Sequence, residues 1–270
     1  MSEDTFIIYK AAIFDRYPNA KNLCQPLVRG SQQNVIFANV DGQQMVFKFG
    51  NPDIIRKNAY ISRLYAENGI PCPVITAHQY KNVFFEEYKQ IPGKTLYERI
   101  GCGMDAEKIK QVYRETLVAF AKMGQIKPGV LDGFPHKHMH IVADEHITNV
   151  NNAVLGKLCM ALVYLINLGN DDDKAVYHTD ITPKNIVVSE DGHLVGILDI
   201  DTAAVSDVNY AFGAMAAKYI QLGFDINELF DVYEKISGKK LNKTRASVIA
   251  NANNAVKKML WQHSKIKKTR

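Results

Sequence analysis

The chain has 270 residues, 47% of them apolar and 23% charged, with four cysteines and a formal net charge of +5. That balance excludes a disordered chain, which has too little apolar surface to offset its conformational entropy, and a cysteine-dense disulfide scaffold. No run approaches the ~20 apolar residues of a membrane span, and Met1-Ser2-Glu3-Asp4 lacks a signal peptide's basic and apolar regions, so with Cys24, Cys72, Cys102 and Cys159 scattered and presumed reduced by their spacing the expectation is a cytoplasmic protein.

Residues 27–34 form a polar loop containing Gly30 and Ser31, followed by apolar segments 35–40 and 44–49 around Asp41-Gly42. This predicts a hairpin with a tip able to lay backbone N–H groups over phosphates. Lys48 stands inside the second apolar strand, where a lysine is ordinarily an edge or solvent-facing residue. Residues 83–89 read as a further apolar strand running into charge at Glu86 and Glu87. Helical spacing of apolar residues follows at 105–122, 149–168, 209–222 and 247–262, with Asp105 placed to cap the first.

The densest information lies in residues 176–204. His178-x-Asp180 enters a loop stiffened by Pro183, and Asn185 stands at the base of the β-branched run 186–188. A Ser189–His193 turn with Asp-Gly at its centre returns the chain through 194–198 to Asp199. Two antiparallel strands then bring Asn185 and Asp199 to one end. Phosphoryl transfer needs such a set: a carboxylate to receive a hydroxyl proton, and an amide plus a second carboxylate to hold a hard divalent cation, Mg²⁺. Each residue alone reads more simply as a turn or helix cap; five in one strand–turn–strand unit favour catalysis.

On His178-Thr179-Asp180-Ile181-Thr182-Pro183-Lys184-Asn185 and Leu198-Asp199-Ile200-Asp201-Thr202-Ala203, the chain resembles the aminoglycoside phosphotransferase and choline kinase-like superfamily. The resemblance implies an α+β, two-lobed protein-kinase-like fold, with a small β-rich nucleotide lobe over 1–88 and a larger, mainly helical catalytic and acceptor lobe over 89–270. It implies ATP or GTP as donor, Mg²⁺ as cofactor and a small-molecule hydroxyl as acceptor, with neither membrane nor nucleic acid among the partners. Asp180 becomes the catalytic base, His178 and Lys184 supports of the catalytic loop, and Asn185 and Asp199 the metal ligands. Asp201 would be a group behind the metal or a ligand of a second ion, with a plain helix cap as the alternative. Gly30, Ser31 and Lys48 would hold nucleotide phosphates, and backbone groups near Glu87 and Tyr88 the base, with Pro92-Gly93 opening the second lobe. Residues 55–73 match the family's helix and its Gly-x-Pro-x-Pro corner.

Two positions depart from the pattern. The helix glutamate that pairs with the lysine in the family falls at Asn58, and a following Asp-x-x-x-Asp has Asp207 first but Ala211 second. These are the grounds for an alternative reading, a nucleotide-binding pseudokinase with a regulatory or scaffold role. A protein kinase is disfavoured by the lack of Asp-Phe-Gly and Ala-Pro-Glu. After Thr202 there are twelve Lys/Arg against five Asp/Glu, the wrong sign for a polycationic acceptor and compatible with a neutral or anionic one. His136, His138 and His140 would share a face if extended, a contact surface for substrate before a metal site. The basic end, Lys265 to Arg270, reads as a solvated tail.

Overall fold

A computed structural model describes residues 3–26, 34–134 and 174–251. Gly30, Ser31, the histidines of 136–140, the expected helix over 149–168 and the basic tail lie outside the described residues. In chain order the elements are α1 (Glu3–Arg16), β1 (Lys21–Cys24), β2 (Val35–Val40), β3 (Gln43–Phe49), α2 (Pro52–Glu67), β4 (Thr76–Tyr80), β5 (Val83–Lys89), β6 (Lys94–Thr95), α3 (Leu96–Gly101), α4 (Ala106–Met123), β7 (Lys174–His178), β8 (Ile186–Val188), β9 (Leu194–Ile197), β10 (Ala203–Asp207), α5 (Val208–Ile220) and α6 (Ile226–Ser237). Residues 243–251 are also helical, the described part of the segment expected over 247–262.

The chain divides into two compact units that interleave along the sequence. One is Met1–Ile109 with Gly133–Pro135 and Lys184–Asp201; the other is Lys110–Asp132 with His136–Pro183 and Thr202–Arg270.

The first unit is built on an antiparallel sheet in the order β1-β2-β3-β5-β4. Its central hairpin turns through Asp41 and Gly42, with φ of 50° and 82°, the paired left-handed conformation a tight two-residue hairpin requires. Strand alternation divides the sheet's residues between two faces. Phe47, Phe49 and Phe85 pack with Ile13 and Ile36 in one buried cluster, and Tyr9 stacks on Phe49 at 3.8 Å between centroids. Lys48 and Glu86, paired across β3 and β5, alternate with these residues and are approached by α2. Asn51 caps α2 by accepting the N–H of Asp53, and Pro52 supplies the fixed φ of its first turn.

A small sheet, β6-β8-β9, completes this unit. Gly93 has φ 135°, and a Cβ there would sit 2.5 Å from the Val188 carbonyl oxygen, so glycine is what lets β6 approach β8. Thr95 then opens α3 with a reciprocal capping box to Glu98. The end of β9 is fixed by Ile197 N–H donating to the Pro71 carbonyl at 2.8 Å.

In the second unit β7 and β10 form an antiparallel pair, Ala203 opposite His178. Behind them Phe120 of α4 stacks on Tyr177 at 4.7 Å and meets Phe212 and Tyr233 edge-on. Gly124 lets the Tyr177 hydroxyl come close, since a Cβ there would lie 2.6 Å from it. Asp207 caps α5 by accepting the N–H of Tyr210 and binds Arg245 through both oxygens at 2.9 Å. Ala211 therefore leaves the cap intact; an arginine from the later helical segment takes up the charge of Asp207.

Candidate active site

The loop after β7 is organised by its own histidine. His178 is 1% exposed, and its Nδ1 accepts the backbone N–H of Asp180 at 3.1 Å. The Thr202 hydroxyl lies 3.3 Å from the same nitrogen, and Thr179 donates to the Thr202 carbonyl at 2.7 Å. With Nδ1 as acceptor, the ring proton belongs on Nε2. These bonds set the turn that presents Asp180, which is partly exposed, while Ile181 anchors the turn at 1% exposure.

In the first unit β8 and β9 pair with Ile186 opposite Ile197, and Leu198 N–H donates to the Asn185 carbonyl at 2.7 Å. The backbone of Asn185 is thus fixed one residue from Asp199. Asp199 has φ 61°, a left-handed conformation costly for most side chains but tolerated by aspartate, and the kind of strain that accumulates at functional sites. Lys184 is exposed, its ammonium 5.3 Å from the centre of the Tyr97 ring.

Lys48 lies among three carboxylates. Its Nζ donates to Asp199 Oδ1 at 2.9 Å and to Asp201 Oδ2 at 2.6 Å. Burial works against its charge, but Asp201, Asp199 and Glu86 together hold its pKa above the ordinary lysine value. Asn58, 1% exposed, donates from one amide nitrogen to Glu86 Oε2 at 2.8 Å and to Asp201 Oδ1 at 2.7 Å. Lys57 donates to the backbone carbonyl of Asp201 at 2.8 Å. Glu86 is 2% exposed, and burial above all pushes its carboxyl up to about 7, with Lys48 and Asn58 opposing and Asp201 and Asp199 adding to the rise.

Glu87 faces the other side of the sheet. It accepts from Tyr17 at 2.8 Å and from Arg16 Nε at 3.2 Å, and His78 Nε2 lies 2.9 Å away. Its backbone is flanked by Phe47 of β3 and Thr76 of β4. Tyr88 is opposite Val46 of β3 but lies beyond the start of β4, and burial raises its hydroxyl pKa. Among the candidate residues, the fold therefore joins Lys48, Asp199 and Asp201 in one cluster, and it links His178 to Asp180 in another. Glu86 and Lys57 belong to the first cluster without any motif having marked them, and Asn58, marked only as a departure from the helix pattern, joins them.

Asn185 and Asp199 supply hard oxygen donors, and their adjacency through the Leu198 bond suits a cation whose other ligands come from phosphate and water. Among the described residues no group of three or more His, Cys, Asp or Glu is arranged to hold an ion unaided.

The architecture matches solved kinase-like phosphotransferases. The chain is similar to a type VIII aminoglycoside-3'-phosphotransferase at 12% identity, covering 93% of this chain and 98% of that one, with a TM-score of 0.64. It is similar to aminoglycoside 2'-phosphotransferase-IIIa, solved with GDP, at 16% identity over 92% of this chain and 87% of that one, TM-score 0.67. The choline kinase LicA from Streptococcus pneumoniae, at 14% identity, covers 99% of this chain and 93% of its own, TM-score 0.62. No functionally curated protein matches in sequence. Residues 24–233 match the model of the phosphotransferase enzyme family, APH, and the chain belongs to that family.

Proposed function

We propose that the protein transfers the γ-phosphate of ATP or GTP to a hydroxyl group of a small molecule. The observation that carries this reading is the contact between Lys48 and Asp199, residues 151 apart in sequence, at 2.9 Å. A strand lysine held against the carboxylate that ends the Asn185–Asp199 hairpin is a cation poised beside a metal-ligand pair, where a nucleotide's phosphates need both. Lys48 grips the phosphates, and Asn185 and Asp199 hold Mg²⁺. When bound, Mg²⁺ neutralises charge on the phosphate oxygens. Asp180 orients the acceptor hydroxyl and receives its proton as the oxygen attacks phosphorus and the nucleoside diphosphate leaves. Its contribution is chiefly positioning, because the transition state is loose.

Family membership supports phosphoryl transfer, and the similar structures, phosphotransferases named for aminoglycosides, choline and a macrolide, support a small-molecule acceptor. Their GDP complexes keep GTP beside ATP as donor. The basic balance after Thr202 favours a neutral or anionic acceptor. Cys24, Cys72 and Cys102 are free thiols, which fits the reducing cytoplasm, and no helix among the described residues is long and apolar enough to cross a membrane.

Thermal denaturation with Mg²⁺ plus ATP or GTP tests the nucleotide site. The reading predicts a metal-dependent rise in melting temperature for the wild type that shrinks in Asp199→Ala. The same melting temperature with and without millimolar nucleotide contradicts it.

A further inference from the structure

We propose that Asp201 is the carboxylate that positions Lys48, and that Asn58 is a bridge holding Asp201 in place against the buried Glu86. The inference rests on the reading above in one respect, that Lys48 grips nucleotide phosphate. It assigns Asp201 a task other than metal binding, and it gives Asn58 a reason to be an amide.

An asparagine side chain carries two N–H donors on one atom, and here both point at carboxylates, Glu86 on one side and Asp201 on the other. Its Oδ1 is buried and has no hydrogen-bond partner among the described residues. Leaving a buried acceptor unpaired is unfavourable, so the orientation is held by what the nitrogen gains, two hydrogen bonds to carboxyl oxygens, one of them on the ion-paired Asp201. The reverse flip would set Oδ1 against two carboxylates. An acid at position 58 would do the same permanently, placing a third carboxylate between Glu86 and Asp201 and removing their shared donor. Asn58 is therefore matched to Glu86, its hydrogen-bonded neighbour on β5 and the cross-strand partner of Lys48.

Asp201 is committed on every oxygen. Oδ2 takes Lys48 at 2.6 Å, Oδ1 takes Asn58 at 2.7 Å, and the backbone carbonyl takes Lys57 at 2.8 Å. Asp199 also touches Lys48, but it is the residue the proposed function gives to the metal. Asp201 is left as the lasting partner of the ammonium. In this chain that carboxylate stands in the segment after β9, and Asn58 on the helix is its tether.

Calorimetric titration of wild type and variants with Mg·ATP, repeated across Mg²⁺ concentrations, tests the assignment without a known acceptor. Asp201→Asn, isosteric and at a partly exposed side chain, should weaken Mg·ATP roughly tenfold or more, as expected for a lost charge-assisted contact. Its Mg²⁺ requirement should stay at the wild-type value, while Asp199→Asn raises it. Asn58→Asp should also weaken Mg·ATP. A raised Mg²⁺ requirement in Asp201→Asn would make Asp201 a metal ligand and overturn the assignment. Tighter binding by Asn58→Asp would overturn it as well, since position 58 would then be an impaired lysine partner. Lys48→Met separates the two layers: unchanged Mg·ATP affinity removes both the phosphate role and this inference. Weakened affinity in Lys48→Met with wild-type affinity in Asp201→Asn removes the inference alone.

Discussion

Replacing Glu86 by glutamine keeps the shape of the side chain and removes its titration. In the fold this carboxyl is pushed from 4.5 up to about 7, first by burial and then by Asp201 and Asp199, against the pull of Lys48 and Asn58. The native protein therefore holds a proton over a pH range in which the unfolded chain has released it. Stability from this group is fully present below about 4.5 and is lost as pH rises to about 7, the reverse of an ordinary salt-bridged carboxylate. Over that window the difference amounts to about 3 kcal/mol, or on the order of 5 °C in melting temperature for a chain of this size. The groups facing Glu86 are Asn58 from α2, Lys48 from β3, Tyr88 from its own strand, and Asp199 and Asp201 beyond β9. Melting curves of wild type and Glu86→Gln at intervals from pH 4.5 to 8, without nucleotide, isolate the effect of Glu86 and the groups coupled to it, because titrations elsewhere cancel in the difference. The wild type should lose this stability relative to the variant as pH rises and then run parallel to it. Parallel curves throughout would refute the claim that Glu86 is held out of water in the way described.

Three further outcomes follow from the geometry. Asp180→Ala should lower turnover by ~10³-fold or more while Mg·ATP affinity, read by calorimetry, stays near the wild-type value. Asp207→Ala removes the cap of α5 and leaves Arg245 without its bidentate partner, so urea unfolding should show a loss of roughly 3 kcal/mol, and a loss below 1 kcal/mol would contradict the pairing. Gly93→Ala puts a Cβ against the Val188 carbonyl at a φ of 135°, and should destabilise by about 2 kcal/mol or more in the same assay.

The candidate catalytic segment was legible because its signal is local. His178, Asp180, Asn185 and Asp199 stand on one strand–turn–strand stretch, so spacing alone predicts that Asn185 and Asp199 meet. The hairpin of β2 and β3 was legible for the same reason, through Asp41-Gly42. The tether of Asp201 was not, because its members come from α2, β5 and the segment after β9, and nothing in the sequence near Asn58 announces Glu86. Adjacent acids on a strand also read alike, yet alternation sends Glu86 toward Asn58 and Glu87 toward Arg16, Tyr17 and His78. The one available signal was at Asn58 itself, an amide where an acid was expected. Helix α1 escaped notice because Ile7, Ile8 and Phe14 are exposed while Ala12 and Ile13 are buried, which blurs the helical period.

Phosphoryl transfer to a small hydroxyl compound is the activity proposed for this site. Its most direct test is incubation of wild type and Asp180→Ala with Mg²⁺, ATP or GTP, and a panel of neutral, anionic and cationic hydroxyl compounds, read by mass spectrometry. At least one compound should gain a single phosphoryl group with the wild type and far less with the variant. Nucleotide binding with no phosphorylated compound across the panel, or equal product from Asp180→Ala, would contradict it.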